Sequence, residues 1–407
     1  MQIHDPLYGR FDVPDYLEPI VLSGEVRRLS EVRLLNINSP SLAALADVSR
    51  YSHTLGALHL ALRNPLLGMS EAEVKAFYVA VLIHDVGTPP FAHLFEYHLN
   101  DLLNWSHEAV LRDIVLGNVR DGAIPGQFFG GAATNLKDIL NGKNLHRSRK
   151  PLQVDADLVL RIVTKQHPLS QLIFGSMDFD NLDNVARMAR MLGIGDGKRA
   201  ALNISSDLFV DSTGRLSLSV AHRSDVVEWA QLRRRSYEVL FSDFHSMSSQ
   251  ALLSKALRIG LEQQLLSTTD WHYTDSQMLR VLLGHAETKN LVYRLYSGTL
   301  PPLVLSATIE APPIFLTKLR RSELAMKIEE FLANSAKFRG KPVGFAVRDS
   351  GTFEKNISFQ DPNTLEEWGL GTRSNSMMLY GFGDVVGPTP SAKVWGSEFL
   401  NWLISSN

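Results

Sequence analysis

The chain has no cysteine. That single absence excludes disulfides, thiolate zinc sites and cysteine nucleophiles together, and it accords with a reducing compartment. An excess of either charge is missing too. The 41 basic and 43 acidic residues leave a formal net charge of −2, so no global field draws the chain to long nucleic acid or to an anionic membrane. Long hydrophobic runs are absent, since the apolar stretches fall well short of the roughly 20 residues a membrane helix needs. The opening residues, MQIHDPLYGRFDVPDY, have no cationic start followed by an apolar run, so no secretory signal is read there. These absences predict a cytoplasmic protein without a membrane segment. Internal repeats, heptad arrays and low-complexity tracts are lacking as well. What is present is 407 residues, 44% of them hydrophobic, enough to bury one large core or two moderate ones.

Periodicity predicts a mainly α fold: a helical body over residues 1–300 and a smaller α+β lobe over 301–407. Residues 1–22, with Pro6, Gly9, Pro14 and Pro19, read as extended or turn-rich. Residues 23–35 and 49–63 carry amphipathic spacing. Ser70 is placed to cap a helix whose apolar face runs through Phe77, Val81 and Leu82 to His84. Further helices are predicted at 106–117, 155–170, 176–193, 222–268 and 275–298. The stretch 118–154, rich in Gly, Asn and basic residues, reads as a long loop or flexible insertion. After residue 300, β-branched runs broken by Pro and Gly predict strands, accompanied by helices at 320–337 and 394–404.

The stretch LIHDVGTPPFAH, residues 82–93, ends an apolar helix in two adjacent metal-capable side chains. Imidazole and carboxylate together suit a borderline or hard divalent ion, and adjacency at a helix end lets His84 and Asp85 enter one cleft. The same dipeptide occurs at His4-Asp5, so the pair alone decides nothing. His53 follows Arg50 by one helical turn, on the same face. Asp178, Asp180 and Asp183 open a later helix, where the dipole alone favours acids. The ordered series His53, His84-Asp85, Asp180 on separate helices is the stronger signal.

That series resembles the HD superfamily of metal-dependent phosphohydrolases. Within it, the chain resembles the deoxynucleoside triphosphate triphosphohydrolase (SAM-and-HD-domain enzyme) branch. HDPLYG, RYSHTLG, LIHDVGTPPFAHLFE, WSHEAVL and DFDNLDNVAR match that branch's motifs in order, over roughly residues 3 to 265. The resemblance implies one divalent metal ion held by His53, His84, Asp85 and Asp180, without choosing among Mn, Fe, Mg, Zn, Ni and Co. It implies that Glu96 and His107 act as a carboxylate–imidazole pair in proton transfer, with His93 over the phosphate. Arg50 matches a phosphate-binding arginine, and Tyr237 a residue lining the nucleotide pocket. Arg233 offers a further phosphate contact. His4-Asp5 falls in the opening segment and is not expected to be catalytic.

The departures from the family pattern gather at substrate-reading positions. Thr88 stands where the family has a histidine, and Asn181 and Asn184 stand for a lysine and a tyrosine. Met188 and Leu34 replace the aspartate and glutamine that read the sugar 3′-hydroxyl, and Trp229 replaces an arginine on the terminal phosphate. A site without its hydrogen-bonding readers loses the discrimination they provide. The expectation is therefore a phosphohydrolase acting on a nucleotide or nucleotide-like small molecule, with its substrate shifted. A phosphodiesterase or nuclease on the same centre and a nucleotide-sensing regulatory protein are the alternatives. The resemblance also implies a homo-oligomer.

Overall fold

In the computed structural model the described residues are 1–35, 39–42, 44, 47–118, 136–142, 152–211, 213–336, 338–349, 355–371, 375–386 and 390–405. Side-chain caps set most of the helix starts that matter for the site. Ser49 caps α2 (Arg50–Arg63), which follows the short α1 (Gly24–Arg28). Ser70 and Glu73 form a reciprocal capping box at α3 (Glu71–Ile83), satisfying two otherwise orphaned N–H groups. α4 (His93–Leu103) has no side-chain cap, and Ser106 caps α5 (His107–Leu116). Asp178 caps α6 (Phe179–Met191) by accepting from the Asn181 N–H. α7 (Arg223–Ser242) and α8 (Phe244–Glu262) are long and abut.

α2 packs on α3 and α6, α6 on α7, and α8 on α4. Phe77, Phe95, Phe179, Leu182 and Leu257 are fully buried in the one large core these helices share. A second core, with Leu305, Ile328, Leu379 and Phe399, lies in the C-terminal part. There α9 (Arg321–Ala333) and α10 (Ala392–Ser405) cover a three-stranded sheet. The strands of the molecule are β1 (Gln2–Asp5), β2 (Gly9–Asp12), β3 (Phe209–Val210), β4 (Leu216–Ser217), β5 (Leu303–Glu310), β6 (Phe338–Asp349), β7 (Ile357–Gln360), β8 (Glu367–Leu370) and β9 (Ser376–Val385). The covered sheet is antiparallel in the order β5-β9-β6.

Among the described residues, several connections tie this lobe to the body. Val343 and Phe345 of β6 belong to the large core. The β7–β8 hairpin joins the body's β3–β4 hairpin through a parallel pairing of Gln360 with Ser217. Chain order therefore does not separate the two halves cleanly.

The mainly helical body with a smaller α+β part matches the expectation, while several boundaries differ. Residues 1–22 contain the β1–β2 hairpin, pairing Asp5 with Gly9. The 23–35 stretch is α-helical only through Arg28 and then tightens into a 3₁₀ turn ending at Glu31. The helix expected at 155–170 stops at Val163. The one expected at 222–268 breaks at Asp243, whose carboxylate accepts from the Ser246 N–H at 2.7 Å and so starts α8. Most of the predicted 118–154 loop lies outside the described residues; within it, Leu136–Leu140 is helical.

Candidate functional site

Three helices converge on one cluster. α2 contributes His53, the end of α3 contributes His84 and Asp85, and the first turn of α6 contributes Asp180. The donor atoms of His53, His84 and Asp180 all lie within 4.8 Å of one another. His53 Nε2 is 2.8 Å from Asp180 Oδ1, and His84 Nε2 is 3.8 Å from the same oxygen. Asp85 Oδ2 stands 3.5 Å from His84 Nε2 and 3.9 Å from His53 Nε2. Asp180 keeps 34% of its side chain exposed, toward the adjoining cavity.

The tautomers follow from the outer partners. His84 Nδ1 donates to the Val81 carbonyl at 2.7 Å, which in the neutral ring leaves the lone pair on Nε2. That Nε2 is buried and has no hydrogen-bond partner among the described residues. An unpaired buried acceptor costs about 1–3 kcal/mol, and a divalent ion between His84, His53 and Asp180 would satisfy it. The donor set of two imidazoles and carboxylates fits such an ion.

His53 Nδ1 sits 2.7 Å from Asp183 Oδ2. Arg187 grips that carboxylate through Nε at 2.9 Å and a second nitrogen at 2.8 Å, and reaches Asp5 Oδ2 at 3.0 Å. Burial opposes charging His53, but the hydrogen bonds to Asp180 and Asp183 outweigh it and push its pKa up to about 10. A metal would displace that proton from Nε2. Gly56, one turn after His53, makes room for this layer: a Cβ there would lie 1.9 Å from Asp183 Oδ1.

Two residues expected to contact substrate both donate to Asp85. Arg50 donates to Asp85 Oδ2 at 2.6 Å and to the Leu34 carbonyl at 3.1 Å. The Thr88 hydroxyl donates to Asp85 Oδ1 at 2.9 Å. Both side chains are buried, and neither is among the described residues lining the cavity. Burial works against the Asp85 carboxylate, yet Arg50 outweighs it and holds the group below the usual carboxylate range.

A second polar group stands beside the cluster. Glu96 accepts from His93 Nδ1 at 2.9 Å through one oxygen and is bonded to His107 Nδ1 through the other. Burial opposes both charges of the Glu96–His107 pair. Their mutual hydrogen bond nevertheless lowers Glu96 below, and raises His107 above, their ordinary values. His93 is 57% exposed. Its helix starts after two consecutive non-glycine residues with positive φ, Phe91 at 58° and Ala92 at 52°. The Phe91 N–H is held by Asp275 Oδ1 at 2.9 Å, and its ring is buried. Gly87 lets α5 approach, because a Cβ there would lie 2.5 Å from the His107 carbonyl oxygen.

A cavity of about 390 Å³ opens from Asp180. Asn181, Asn184, Arg233 and Tyr237, the other residues expected to contact substrate, are among those that line it. The Arg233 guanidinium lies over the Tyr237 ring at 4.9 Å and donates to Asn181 Oδ1 at 3.4 Å. Leu34, Met188 and Trp229 are buried in the interior, and the Trp229 indole N–H donates to the Asn181 carbonyl. Sequence reasoning missed the Asp183–Arg187–Asp5 chain, although the spacing of three and four residues from Asp180 through Asp183 to Arg187 is a visible signal. It also missed Lys355, which donates to the Gly175 carbonyl at 3.0 Å; burial lowers its pKa, against the pull of Asp178.

No family profile matches the chain. Over 108 residues it is 32% identical to the deoxynucleoside triphosphate triphosphohydrolase SAMHD1 homolog of Dictyostelium discoideum, covering 25% of this chain and 21% of that protein. Over 118 residues it is 29% identical to the deoxynucleoside triphosphate triphosphohydrolase SAMHD1 of Homo sapiens, covering 26% and 19%. The matched region thus spans about a fifth of the length of these curated relatives. In structure, a phosphohydrolase from Bacteroides thetaiotaomicron superposes with a TM-score of 0.66 at 18% identity, covering 94% of this chain and 100% of that one. A hypothetical protein from Aquifex aeolicus superposes with a TM-score of 0.63 at 18% identity, covering 94% and 96%. No helix among the described residues is long and apolar enough to cross a membrane.

Proposed function

We propose that this chain, which resembles the HD-superfamily deoxynucleoside triphosphate triphosphohydrolases, is a metal-dependent phosphohydrolase acting on a nucleotide-like phosphoester or phosphoanhydride. The observation that carries the reading is the cluster of His53, His84 and Asp180, with an unpartnered Nε2 of His84 facing it. In this reading His53, His84, Asp85 and Asp180 hold one divalent ion. Such an ion supplies Lewis acidity toward a phosphoryl oxygen and toward water.

The chain's own groups divide the remaining work. Asp183 fixes the His53 ring, and Arg50 and Thr88 fix Asp85. Glu96 orients His107 and keeps a proton on it, so His107 acts as the acid toward a departing oxygen. Arg233 offers a cation beside the phosphate end, and the stacked Tyr237 and Phe241 offer a flat apolar surface. Because Met188 and Leu34 are buried, the sugar 3′-hydroxyl is not read in the family's manner.

The test is to identify the bound metal and to screen phosphorylated compounds by product analysis. Asp180→Ala is expected to lose both metal and activity while remaining folded; an active, metal-loaded variant overturns the reading. The pH profile tests the proton donor. Because Glu96 raises the His107 pKa, the acid form persists above the ordinary histidine value of about 6.5, and activity falls only as pH passes the raised value. Glu96→Gln is expected to move that alkaline limb to lower pH and to slow turnover by about 10²-fold or more. An unmoved limb removes His107 from the role.

A further inference from the structure

The cavity that opens from Asp180 is also lined by Tyr97, His98, Asp101, Ser254, Arg321 and Arg348. Helix α4 connects the two groups. From His93 to Asp101 is eight residues, about 12 Å of helix at 1.5 Å per residue. Tyr97 and Asp101 follow His93 at intervals of four, on the same face. The opposite wall comes from the C-terminal lobe, with Arg321 opening α9 and Arg348 on β6.

This far end has unsatisfied polar chemistry. His98 is only 5% exposed and its Nε2 is 2.8 Å from Ser254 Oγ. Its Nδ1 is buried with no hydrogen-bond partner among the described residues. Burial, reinforced by the charges of Arg258 and Arg321, drives the His98 pKa down to about 3, so the ring is neutral. Arg348 donates to the Leu316 carbonyl at 3.4 Å, while its Nε is buried and unpartnered among the described residues. The Arg321 guanidinium lies 3.5 Å over the centre of the Tyr97 ring. Asp101 accepts from the Ser322 N–H at 3.4 Å and hydroxyl at 3.2 Å.

An apolar ligand end would leave the His98 and Arg348 atoms unpaired, which is costly for buried groups. A second phosphate would meet the Asp101 carboxylate and a histidine that carries no charge. A planar heterocycle satisfies both conditions, lying beside the Arg321–Tyr97 stack and bonding through its edge. Two guanidiniums, each a fork of donors, match an edge with adjacent acceptors, as arginine matches a carbonyl beside a ring nitrogen. We propose that this end of the cavity reads the substrate's heterocycle and selects a 6-oxopurine edge over a 6-aminopurine one, with Arg321 and Arg348 as the selecting residues. The proposal rests on the phosphohydrolase reading, which places the phosphates at Asp180.

Inosine and adenosine 5′-triphosphates differ at that edge and share their phosphates. Their binding to the metal-loaded full chain can be titrated calorimetrically in the His107→Ala background, chosen to slow turnover. Inosine triphosphate is expected to bind about tenfold tighter, the scale of one charge-assisted hydrogen bond. The ratio is expected to fall toward one in Arg348→Gln and in Arg321→Gln, with thermal melts confirming folding. If either arginine variant does not fold, the same loss of ratio in His98→Phe carries the test. Equal binding of the two nucleotides, or a preference that survives these substitutions, overturns the inference alone. Binding of neither nucleotide also overturns the inference, while the phosphohydrolase reading on which it stands fails separately, in the metal and product assays.

Discussion

The molecule contains the dipeptide His-Asp twice, and the two copies do different work. In β1, successive side chains point to opposite faces, so His4 is exposed while Asp5 is buried. At the end of α3 both residues are buried and both face the cluster. Each aspartate meets an arginine, Asp5 with Arg187 and Asp85 with Arg50. Asp5 also accepts from the Leu7 and Tyr8 N–H groups, which closes the hairpin turn. Through Arg187 and Asp183 it braces the far side of His53. The dipeptide itself carries no chemistry; the backbone that presents it decides whether it supports the site or belongs to it.

Substitutions can break this contrast or sharpen it. The largest effect is expected at the helix pair: His84→Ala removes the one cluster nitrogen left without a partner, so metal retention and hydrolysis are both lost, as metal analysis and product assays would read. Asp5→Asn is expected to act on stability first. Removing one partner of a buried pair costs about 3 kcal/mol or more, seen as a lower denaturant midpoint, while the metal is retained. Loss of metal as complete as in His84→Ala would erase the distinction between the two copies. His4→Ala is expected to change stability by less than about 0.5 kcal/mol and activity not at all; a measurable loss of activity would give the first copy a role the structure does not.

Much of this was legible in the residues, and unevenly so. The grouping of His53, His84, Asp85 and Asp180 was legible because the motifs that carry them fall in order on separate helices, and the capping residue Ser70 marks where one of those helices begins. Glu96 and His107 were legible as a pair for the same reason. Arg50 and Thr88, expected at the substrate, both donate to Asp85, a partner that the sequence does not reveal. Asp243 splits a long periodic run that apolar spacing alone joins. The cavity wall formed by Arg321 and Arg348 was invisible because it depends on α9 meeting α4 across 221 residues of chain, as between Ser322 and Asp101, a contact no local pattern encodes.

Phe91 and Ala92 carry a consequence for how the protein fails. Left-handed backbone at residues with a Cβ costs of order 1–3 kcal/mol each, and here it is held by tertiary contacts, the Asp275 carboxylate and the burial of the Phe91 ring. The turn that starts α4 therefore keeps its shape only while those tertiary contacts hold. Opening it would uncouple His93 and Glu96 from His107 while the metal cluster on α2, α3 and α6 stays assembled. A variant that loosens those contacts is expected to silence the proposed chemistry while the residues proposed to hold the metal keep their places.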